Sequence, residues 1–486
     1  MHGLKGTLHR SRIGGTHGLA RYPAGARLRI CWGTTVIDRD RLHDLIEHER
    51  RRYVTGHPRS LAAFEAAGKH LLGGVPMTWM NKWAGGFPPY LDRARGARLV
   101  DLDGHEYVDF CLGDTGAMAG HSPAPTVAAV QRRYAELGGA TTMLPTEEAA
   151  WVGAELKRRF GLSRWSFTLS ATDANRWAIR LARHLTGRPK VLVFSYCYHG
   201  SVDEAFTVAT PDGPQSLEGN VGRPVDPAVT TRVAEFNDVA GLERELAHGD
   251  VAVVLTEPAL TNIGIVLPEP GFHEALRALT RAAGTLLLMD ETHTMSAGPG
   301  GCTAAWGLEP DIVTVGKAIG GGIPAGAYGV AEHLATSVLG DEDADLIDTG
   351  GVGGTLAGNA LSVAAMRATL GEVLTASAFE SMLRLGERFT AGVQGVLDRT
   401  QVPWVVVRLG ARAEYRFCPV PPRDGTTSRA AEDAELDEWL HLYAANRGIL
   451  MTPFHNMALM CPATTESDVD LHTEVFAAAV DDLVGS

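Results

Sequence analysis

Residues 285–301 read TLLLMDETHTMSAGPGG, an apolar run of strand length that ends in two adjacent carboxylates, Asp290 and Glu291. A hydroxyl, an imidazole and a second hydroxyl follow at once, from Thr292 to Thr294. Removing a carboxylate from water costs much free energy unless a partner compensates its charge. The pattern therefore predicts a buried strand whose acidic end faces a cationic group.

Four other apolar runs of strand length lie between residues 145 and 335: WSFTLS, KVLVFS, VAVVLTEP and DIVTVGKA. Amphipathic patterns such as DANRWAIRLARHLTG and GFHEALRALTRAAG separate several of them. Apolar strands that alternate with such helices are typical of a mainly parallel sheet covered on both faces. The sequence thus predicts an α/β fold with one large central domain.

The two ends of the chain differ from the central region in their secondary-structure patterns. Helical patterns and a β-hairpin, ARLVDLDGHEYVDF, precede the central region, and a strand pair, WVVVRLGARAEYRF, and two helical patterns follow it. The first 37 residues contain no Asp or Glu, which is typical of a disordered extension. We therefore predict a disordered extension at 1–37, an N-terminal segment with part of a small domain at 38–110, a large domain at 111–365 and a C-terminal small domain at 366–486.

Composition limits the classes of partner. The 486-residue chain carries a formal net charge of -13, which argues against general nucleic-acid binding, and no apolar window has the length of a membrane helix. Its six cysteines are scattered without a C-x-x-C pair, so they predict neither a disulfide framework nor a zinc site. We expect small-molecule partners, no metal, no nucleic acid, no membrane and a cytoplasmic location.

Polar residues at the strand ends indicate where a ligand binds, because open α/β sheets bind ligands at the carboxyl ends of their strands. Small residues after WSFTLS open a helix whose N-terminus suits a phosphate, although Thr172 or Asp173 could equally be a plain helix cap. Lys317 follows a strand and precedes three glycines, and a desolvated lysine there can bond covalently to a carbonyl carbon. The other candidates are Ser170, Ala171, Tyr198, His199, Glu257 and Asp290.

Several common catalytic motifs are absent from the sequence. A P-loop lysine needs a glycine where this chain has Asp311 and a hydroxyl where it has Ala318. There is no H-E-x-x-H, and the GHSPA at Gly120 departs from a nucleophile elbow. A lysine, an aspartate, a stacking aromatic and a phosphate site are the parts that pyridoxal phosphate (PLP) requires.

The chain also resembles the class III aminotransferases of PLP fold type I, in the branch that contains glutamate-1-semialdehyde aminomutase and β-amino acid aminotransferases. The matching motifs are SATDAN, Tyr198-His199-Gly200, Glu257-Pro258, DET, GKAIGGG and GTLAGN. The resemblance implies an aspartate-aminotransferase-like fold, with a mainly parallel seven-stranded sheet and a small α+β domain built from both chain ends. It also implies a homodimer with shared sites, in which Gly354 and Thr355 complete the neighbouring site.

The resemblance implies a role for each matching residue. Lys317 would bond to the PLP aldehyde and move protons, Asp290 would pair with the pyridine nitrogen, and Tyr198 would stack on the ring. At the next position after Thr292 relatives often carry Gln or Met, and we expect His293 either to hydrogen-bond the phenolic oxygen of the cofactor or simply to pack. The remaining cofactor contacts implied by the resemblance are Ser170, Ala171, Thr172, His199, Glu257, Thr292 and Thr355.

Substrate recognition departs from the family pattern. Related enzymes carry a carboxylate-binding arginine near the segment that here reads GGVPMTWMNKW, which has none. Arg412 is the candidate replacement, and the alternative is that Arg412 pairs with Glu414 or another surface acid. Trp79 and Trp83 are expected either to build an apolar entrance or to belong to the core.

The predicted function is ping-pong transfer of an amino group from an amino acid or amine, with a β-amino acid or aromatic amine favoured, to a carbonyl acceptor. A PLP-dependent isomerase, either an aminomutase or an epimerase, and a non-catalytic binding module remain as alternatives. An isomerase would need no keto acid, and a binding module would not need the intact Lys317 and Asp290.

Overall fold

The computed structural model describes residues 37–222, 225–341, 346 and 350–485. The predicted disordered extension at 1–37 lies outside these residues, apart from Ile37. In the described part the helices are α1 Arg39–Gly56, α2 Pro58–Ala67, α3 Ala124–Gln131, α4 Glu148–Phe160, α5 Ala171–Thr186, α6 Val239–Leu246, α7 Phe272–Ala283, α8 Gly301–Ala305, α9 Glu332–Leu339, α10 Ala360–Ala368, α11 Ala376–Thr400, α12 Gly425–Ala430, α13 Ala434–Ala445 and α14 Glu466–Val484.

The strands follow the same chain order. They are β1 Leu91–Arg95, β2 Arg98–Asp101, β3 Glu106–Asp109, β4 Arg164–Thr168, β5 Lys190–Phe194, β6 Thr207–Thr210, β7 Gly213–Ser216, β8 Thr231–Ala234, β9 Val251–Thr256, β10 Leu286–Asp290, β11 Ile312–Val315, β12 Gly326–Val330, β13 Val405–Leu409, β14 Arg412–Arg416, β15 Ile449–Leu450 and β16 Met457–Leu459. All five apolar runs of the central region are strands, as predicted.

The central sheet has seven strands in the order β4-β12-β11-β10-β9-β5-β8. Strands β8, β5, β9, β10 and β11 are mutually parallel, and β12 runs antiparallel to both of its neighbours. Every residue of β9 is buried, as expected for a strand covered on both faces. The prediction of a mainly parallel seven-stranded sheet is confirmed, and the sequence analysis missed only β8 and the glycine-rich β12.

Both ends of the chain contribute to the smaller sheets. Strands β1, β2 and β3 form an antiparallel meander, and β15 joins β3 in parallel, with Ile449 opposite Val108. The predicted strand pair is β13 and β14, which β16 extends to three antiparallel strands. The division into domains at residues 110 and 365 stays a prediction.

This topology brings the candidate residues to one edge of the central sheet. The carboxyl ends of five strands share that edge. Strand β10 ends in Asp290, and Ser170, Tyr198, Glu257 and Lys317 follow β4, β5, β9 and β11, respectively. Strand β14 carries Arg412 from the C-terminal region. In the described part of the chain, no helix combines the length and the apolar character needed to cross a membrane.

Candidate active site

Asp290 ends β10, and its buried carboxylate accepts three hydrogen bonds. Its Oδ2 accepts hydrogen bonds from Asn175 Nδ2 at 2.8 Å and from His199 Nδ1 at 2.9 Å, and its Oδ1 accepts one from the Thr292 amide at 3.0 Å. Burial alone would raise the pKa of Asp290, but these hydrogen bonds, that of His199 first, lower it to about 2. Burial opposes a charge on His199 too, yet Cys197 and Asp290 raise its pKa well above the usual value. Among the described residues, a histidine, His199, therefore lies beside the acidic strand end.

Glu291, the second carboxylate of the quoted run, has a structural role. It accepts hydrogen bonds from the backbone amides of Cys302 at 3.1 Å and Thr303 at 2.5 Å, and from the Thr294 hydroxyl at 2.5 Å. Burial raises the pKa of Glu291. Its neighbours are thus neutral donors that hold the loop after β10 against α8.

The N-terminus of α5 is the predicted phosphate site. Ser170 is the N-cap: its hydroxyl accepts a hydrogen bond from the Asp173 amide at 3.2 Å, so the alternative in which Thr172 or Asp173 caps the helix is wrong. Thr172 Oγ1 instead accepts a hydrogen bond from the Ser201 amide at 3.2 Å. Gly200 has φ 78°, and a Cβ there would lie 2.0 Å from Thr172 Oγ1, so the loop after β5 presses closely on the helix terminus.

Lys317 lies at the centre of a polar cluster. Its backbone adopts the left-handed conformation, with φ 48°, and its Nζ lies 2.8 Å from Asp114 Oδ2 and 2.9 Å from His293 Nε2. Asp114 and Thr115 also have positive φ, 49° and 80°. Non-glycine residues rarely adopt this conformation, and such strain concentrates at functional sites. Burial opposes ionisation of Asp114, but Lys317, His293 and Arg412 lower its pKa.

Arg412 is part of the same cluster. It is 1% exposed, and one terminal nitrogen donates to Thr115 Oγ1 at 2.5 Å and lies 2.9 Å from His293 Nδ1. The alternative of a surface pairing with Glu414 is therefore wrong. Glu414 is itself buried, and its oxygens lie 3.8 Å from Arg416 and 3.5 Å from His455 Nδ1.

His293 links the guanidinium of Arg412 to the amine of Lys317. Burial first, and then the charges of Lys317 and Arg412, lower the pKa of His293 well below the usual value, so its ring is neutral and carries one N–H. With the proton on Nδ1, the ring donates to Thr115 Oγ1 and accepts from the Lys317 ammonium. With the proton on Nε2, it accepts from Arg412 and donates to Lys317 as a free amine. The position of one ring proton is thus coupled to the charge on Lys317.

The other predicted residues lie at different distances from this cluster. Tyr198 is 43% exposed, and burial of its ring first and then the charge of Asp114 raise its pKa. Glu257 is buried and accepts hydrogen bonds from Thr261 and Asn262. Thr355 is exposed on the described chain, as is Gly354.

The two tryptophans predicted for the substrate entrance are separated. Trp79 packs edge-on against Phe454, with ring centroids 5.8 Å apart, and Lys82 lies 5.5 Å from the same ring centroid. Phe454 precedes His455, which faces Glu414, so Trp79 stands near the Arg412 strand. Trp83 instead lines a small cavity beside Tyr53 and Pro89. A role for Trp79 and Trp83 toward the substrate stays a prediction.

The sequence analysis missed three residues of the site: Asp114, Thr115 and Asn175. The first two lie in CLGDTGAMAG, a glycine-rich segment directly after β3, which was the available signal. Asn175 lies one turn inside α5 and bridges Asp290 to Thr314, whose hydroxyl donates to Asn175 Oδ1 at 2.7 Å. For Asn175, the available signal in the sequence was a polar residue on the buried face of a helix.

Comparisons with known proteins show the family of the chain. The family model for aminotransferase class-III matches residues 79–480. The chain belongs to the class III aminotransferases. A glutamate-1-semialdehyde 2,1-aminomutase from Anaeromyxobacter sp. (strain Fw109-5) is 32% identical over 411 residues, which cover 81% of this chain and 92% of the relative.

Two solved structures place this class III aminotransferase in PLP fold type I. A glutamate-1-semialdehyde-aminomutase from Pseudomonas aeruginosa PAO1 is 48% identical, with a TM-score of 0.89 over 92% of this chain and 99% of that one. A β-phenylalanine aminotransferase from Variovorax paradoxus is 27% identical, with a TM-score of 0.80 over 90% of this chain and 97% of that one. The predicted fold class is thereby confirmed.

The family's cofactor, PLP, fits the residues that are present. Two buried polar atoms beside Asp290, Thr292 Oγ1 and His199 Nε2, have no hydrogen-bond partner among the described residues. The first amides of α5 have no partner within the helix and suit a phosphate. The Lys317 amine suits an aldehyde. These groups together therefore suit a ligand that carries a phosphate, an aromatic ring and an aldehyde, as PLP does.

Proposed function

We propose that this chain is a PLP-dependent enzyme that moves the amino group of an amino acid whose carboxylate is bound by Arg412. The observation that carries the proposal is the Arg412, His293 and Lys317 row, in which a buried guanidinium and a reactive amine contact opposite nitrogens of one imidazole. The buried guanidinium lies 3.8 Å from Asp114 Oδ1, which is too far for a hydrogen bond. A carboxylate ligand is favoured, because a fork of N–H donors matches two carboxylate oxygens.

We propose the cofactor contacts that the resemblance implies. Lys317 would bond to the aldehyde, Asp290 would hold the proton on the pyridine nitrogen, and Tyr198 would stack on the ring. Ser170, Ala171 and Thr172 would hold the phosphate together with Gly354 and Thr355 of the partner subunit. The other proposed contacts to PLP are His199, Glu257, Thr292 and His293.

When bound, PLP supplies a protonated aromatic ring that accepts the electron pair left on the donor carbon as its proton is removed. The residues of the chain do the rest. Arg412 orients the donor by its carboxylate, and Lys317 Nζ removes the proton from the donor carbon. Asp290 keeps the ring nitrogen protonated, because its pKa lies well below neutral pH.

His293 and Asp114 would control the proton on Lys317. His293 Nε2 contacts Nζ directly and can exchange a proton with it, since neutral imidazole has one donor and one acceptor nitrogen. Asp114, ionised beside Nζ, would hold an ammonium group at the place where an amino donor arrives. Carboxylate at Arg412 and ammonium at Asp114 together describe a zwitterionic amino acid.

Two reactions use this arrangement. In a transaminase the donor leaves as a carbonyl compound and a second substrate takes up the amino group. The absence of arginine between residues 71 and 90, with Arg412 buried at the site instead, supports this reaction with a β-amino acid donor. In an aminomutase the group returns to the same molecule. The names of the similar aminomutases favour this second candidate.

The need for an acceptor separates the two reactions. Protein loaded with PLP is incubated with an aromatic β-amino acid, or separately with glutamate 1-semialdehyde, in the absence of any keto acid. A transaminase forms about one carbonyl product per site and stops until a keto acid is added, which is the ping-pong behaviour. An aminomutase continues to turn over glutamate 1-semialdehyde without an acceptor. No change in the visible band of the bound cofactor with any amino acid would contradict both.

We also propose a homodimer in the cytoplasm, with Thr355 contributed across the interface. A Lys317→Ala variant and a Thr355→Val variant should each be weakly active alone. In the mixed dimer, one site combines both defects and the other has none, so mixing the two variants should restore activity. No gain on mixing, with exchange of subunits shown by mass spectrometry, would contradict shared sites.

A further inference from the structure

A second cluster of ligating side chains lies where the N-terminal helices meet the first meander. His57 stands between α1 and α2, Asp101 ends β2, and His105 lies in the turn between β2 and β3. One ligand atom from each lies within 4.8 Å of the others. His57 and Asp101 are buried, 3% and 1% exposed, whereas the His105 side chain is 42% exposed. The cluster therefore opens to solvent on one side only.

Hydrogen bonds hold the ligand atoms of this cluster in place. His57 Nδ1 lies 2.6 Å from the Tyr53 carbonyl oxygen and must donate to it, which leaves a lone pair on Nε2 of the neutral ring. That lone pair faces the Tyr107 hydroxyl at 2.7 Å and Asp101 Oδ2 at 3.3 Å. Asp101 Oδ2 also lies 2.9 Å from the Tyr107 hydroxyl and 3.0 Å from His105 Nδ1, and the His105 amide donates to Asp101 Oδ1.

A metal ion would replace hydrogens of this network. It would take the lone pair of His57 Nε2, an oxygen of Asp101 and, with the His105 proton on Nε2, the lone pair of His105 Nδ1.

The distances suit a divalent transition ion. Ligands about 2.0–2.2 Å from zinc in a tetrahedral site are roughly 3.4 Å from one another. Here Asp101 Oδ2 lies 3.3 Å from His57 Nε2 and 3.0 Å from His105 Nδ1. Histidines that bind metals usually donate their other N–H to a carbonyl or carboxylate oxygen, as His57 does to Tyr53.

We propose that His57 Nε2, Asp101 Oδ2 and His105 Nδ1 form a binding site for a divalent transition metal ion such as zinc, with its fourth position open to water. The ion would link the segment between α1 and α2 to the turn between β2 and β3. Its role is structural, because none of its ligands belongs to the Lys317 cluster. The proposal departs from the sequence-based expectation of no metal, which rested on cysteine spacing alone.

The test uses the full chain, free of any affinity tag and loaded with PLP, after treatment with a chelator and removal of the chelator. Zinc is titrated by calorimetry, and the melting temperature is measured with and without zinc. Cobalt(II) serves as a spectroscopic probe, because its visible bands report tetrahedral coordination by nitrogen and oxygen. We expect one tight site per chain and a higher melting temperature with zinc.

The variant His105→Gln removes the exposed ligand and should fold, because that side chain lies at the surface. It should bind zinc about 100-fold more weakly or lose binding altogether. His43→Gln removes an exposed histidine of α1 outside the cluster and should leave zinc affinity and the cobalt bands unchanged. If wild type and His105→Gln bind zinc equally, or if neither binds it, the cluster is a hydrogen-bond network only and the proposal is wrong.

Discussion

Replacing Arg412 with leucine should remove the preference of the enzyme for substrates that carry a carboxylate. One terminal nitrogen of Arg412 contacts Thr115 and His293, while its Nε is buried without a hydrogen-bond partner among the described residues. Donors therefore remain for an incoming carboxylate. Hydrogen bonds to charged groups contribute about 1.5–3 kcal/mol each, so a two-pronged contact with a carboxylate contributes about 3 kcal/mol after desolvation. That free energy corresponds to about 100-fold in kcat/KM.

The assay compares kcat/KM for an aromatic β-amino acid with that for an aryl-alkyl amine of similar size without a carboxylate. Arg412→Leu should lower the value for the amino acid about 100-fold and leave the amine nearly unchanged. Arg412→Lys keeps the charge without the fork of N–H donors. Its kcat/KM for the amino acid should lie between the values for wild type and for Arg412→Leu. Arg408→Leu, on the neighbouring strand and away from the cluster, is the control and should alter neither value. Equal losses for both substrates, or no loss for the amino acid, would refute the role of Arg412.

Three further predictions concern cofactor attachment, the phosphate site and stability. Borohydride reduction of the loaded protein should leave PLP on the peptide that contains Lys317, and mass spectrometry of Lys317→Ala should find no labelled peptide. Gly200→Ala should weaken PLP binding, measured by fluorescence titration, far more than Gly187→Ala does. Both glycines have positive φ, but only a Cβ at Gly200 would collide with another residue, Thr172. Equal effects of the two substitutions would argue against close packing of the loop on α5. Burial raises the pKa of Asp437 to about 7, so folding favours its protonated form and stability should fall as the pH rises from about 4 to 7. Asp437→Asn should therefore raise the melting temperature at pH 8 more than at pH 4, and an equal shift at both would contradict this pKa.

Local patterns were sufficient to predict five of the seven strands of the central sheet, and that polar residues at the ends of these strands share one edge. Asp290 and Lys317 each end an apolar run, and strands of a parallel sheet must place such residues together. Asp114 and Thr115 could not be found in this way, because their positions depend on three non-glycine residues with positive φ, Leu112 among them. No local propensity predicts such a conformation, since it is imposed by the surrounding packing.

Pairings between residues far apart in the chain were also beyond local patterns. The sequence could propose Arg412 as a carboxylate ligand, but its contacts with Thr115 and His293 join three distant segments. The role expected for His293 toward the phenolic oxygen of PLP stays a prediction, and the structure adds Lys317 and Arg412 as its neighbours. The burial of Arg412, which excludes a surface ion pair, followed from the position of β14 and not from its sequence.

The pairing of β15 with β3 has a consequence for how the protein is made. Ile449 and Val108 lie side by side but are more than 300 residues apart in the chain. During synthesis every strand of the central sheet leaves the ribosome before β15 does, so that sheet can assemble while the first meander still has an open edge. Unpaired strand edges promote association between chains. Shortening the gene at its 3′ end should therefore leave the N-terminal region prone to aggregation, and protein lacking residues 449–486 should accumulate in inclusion bodies.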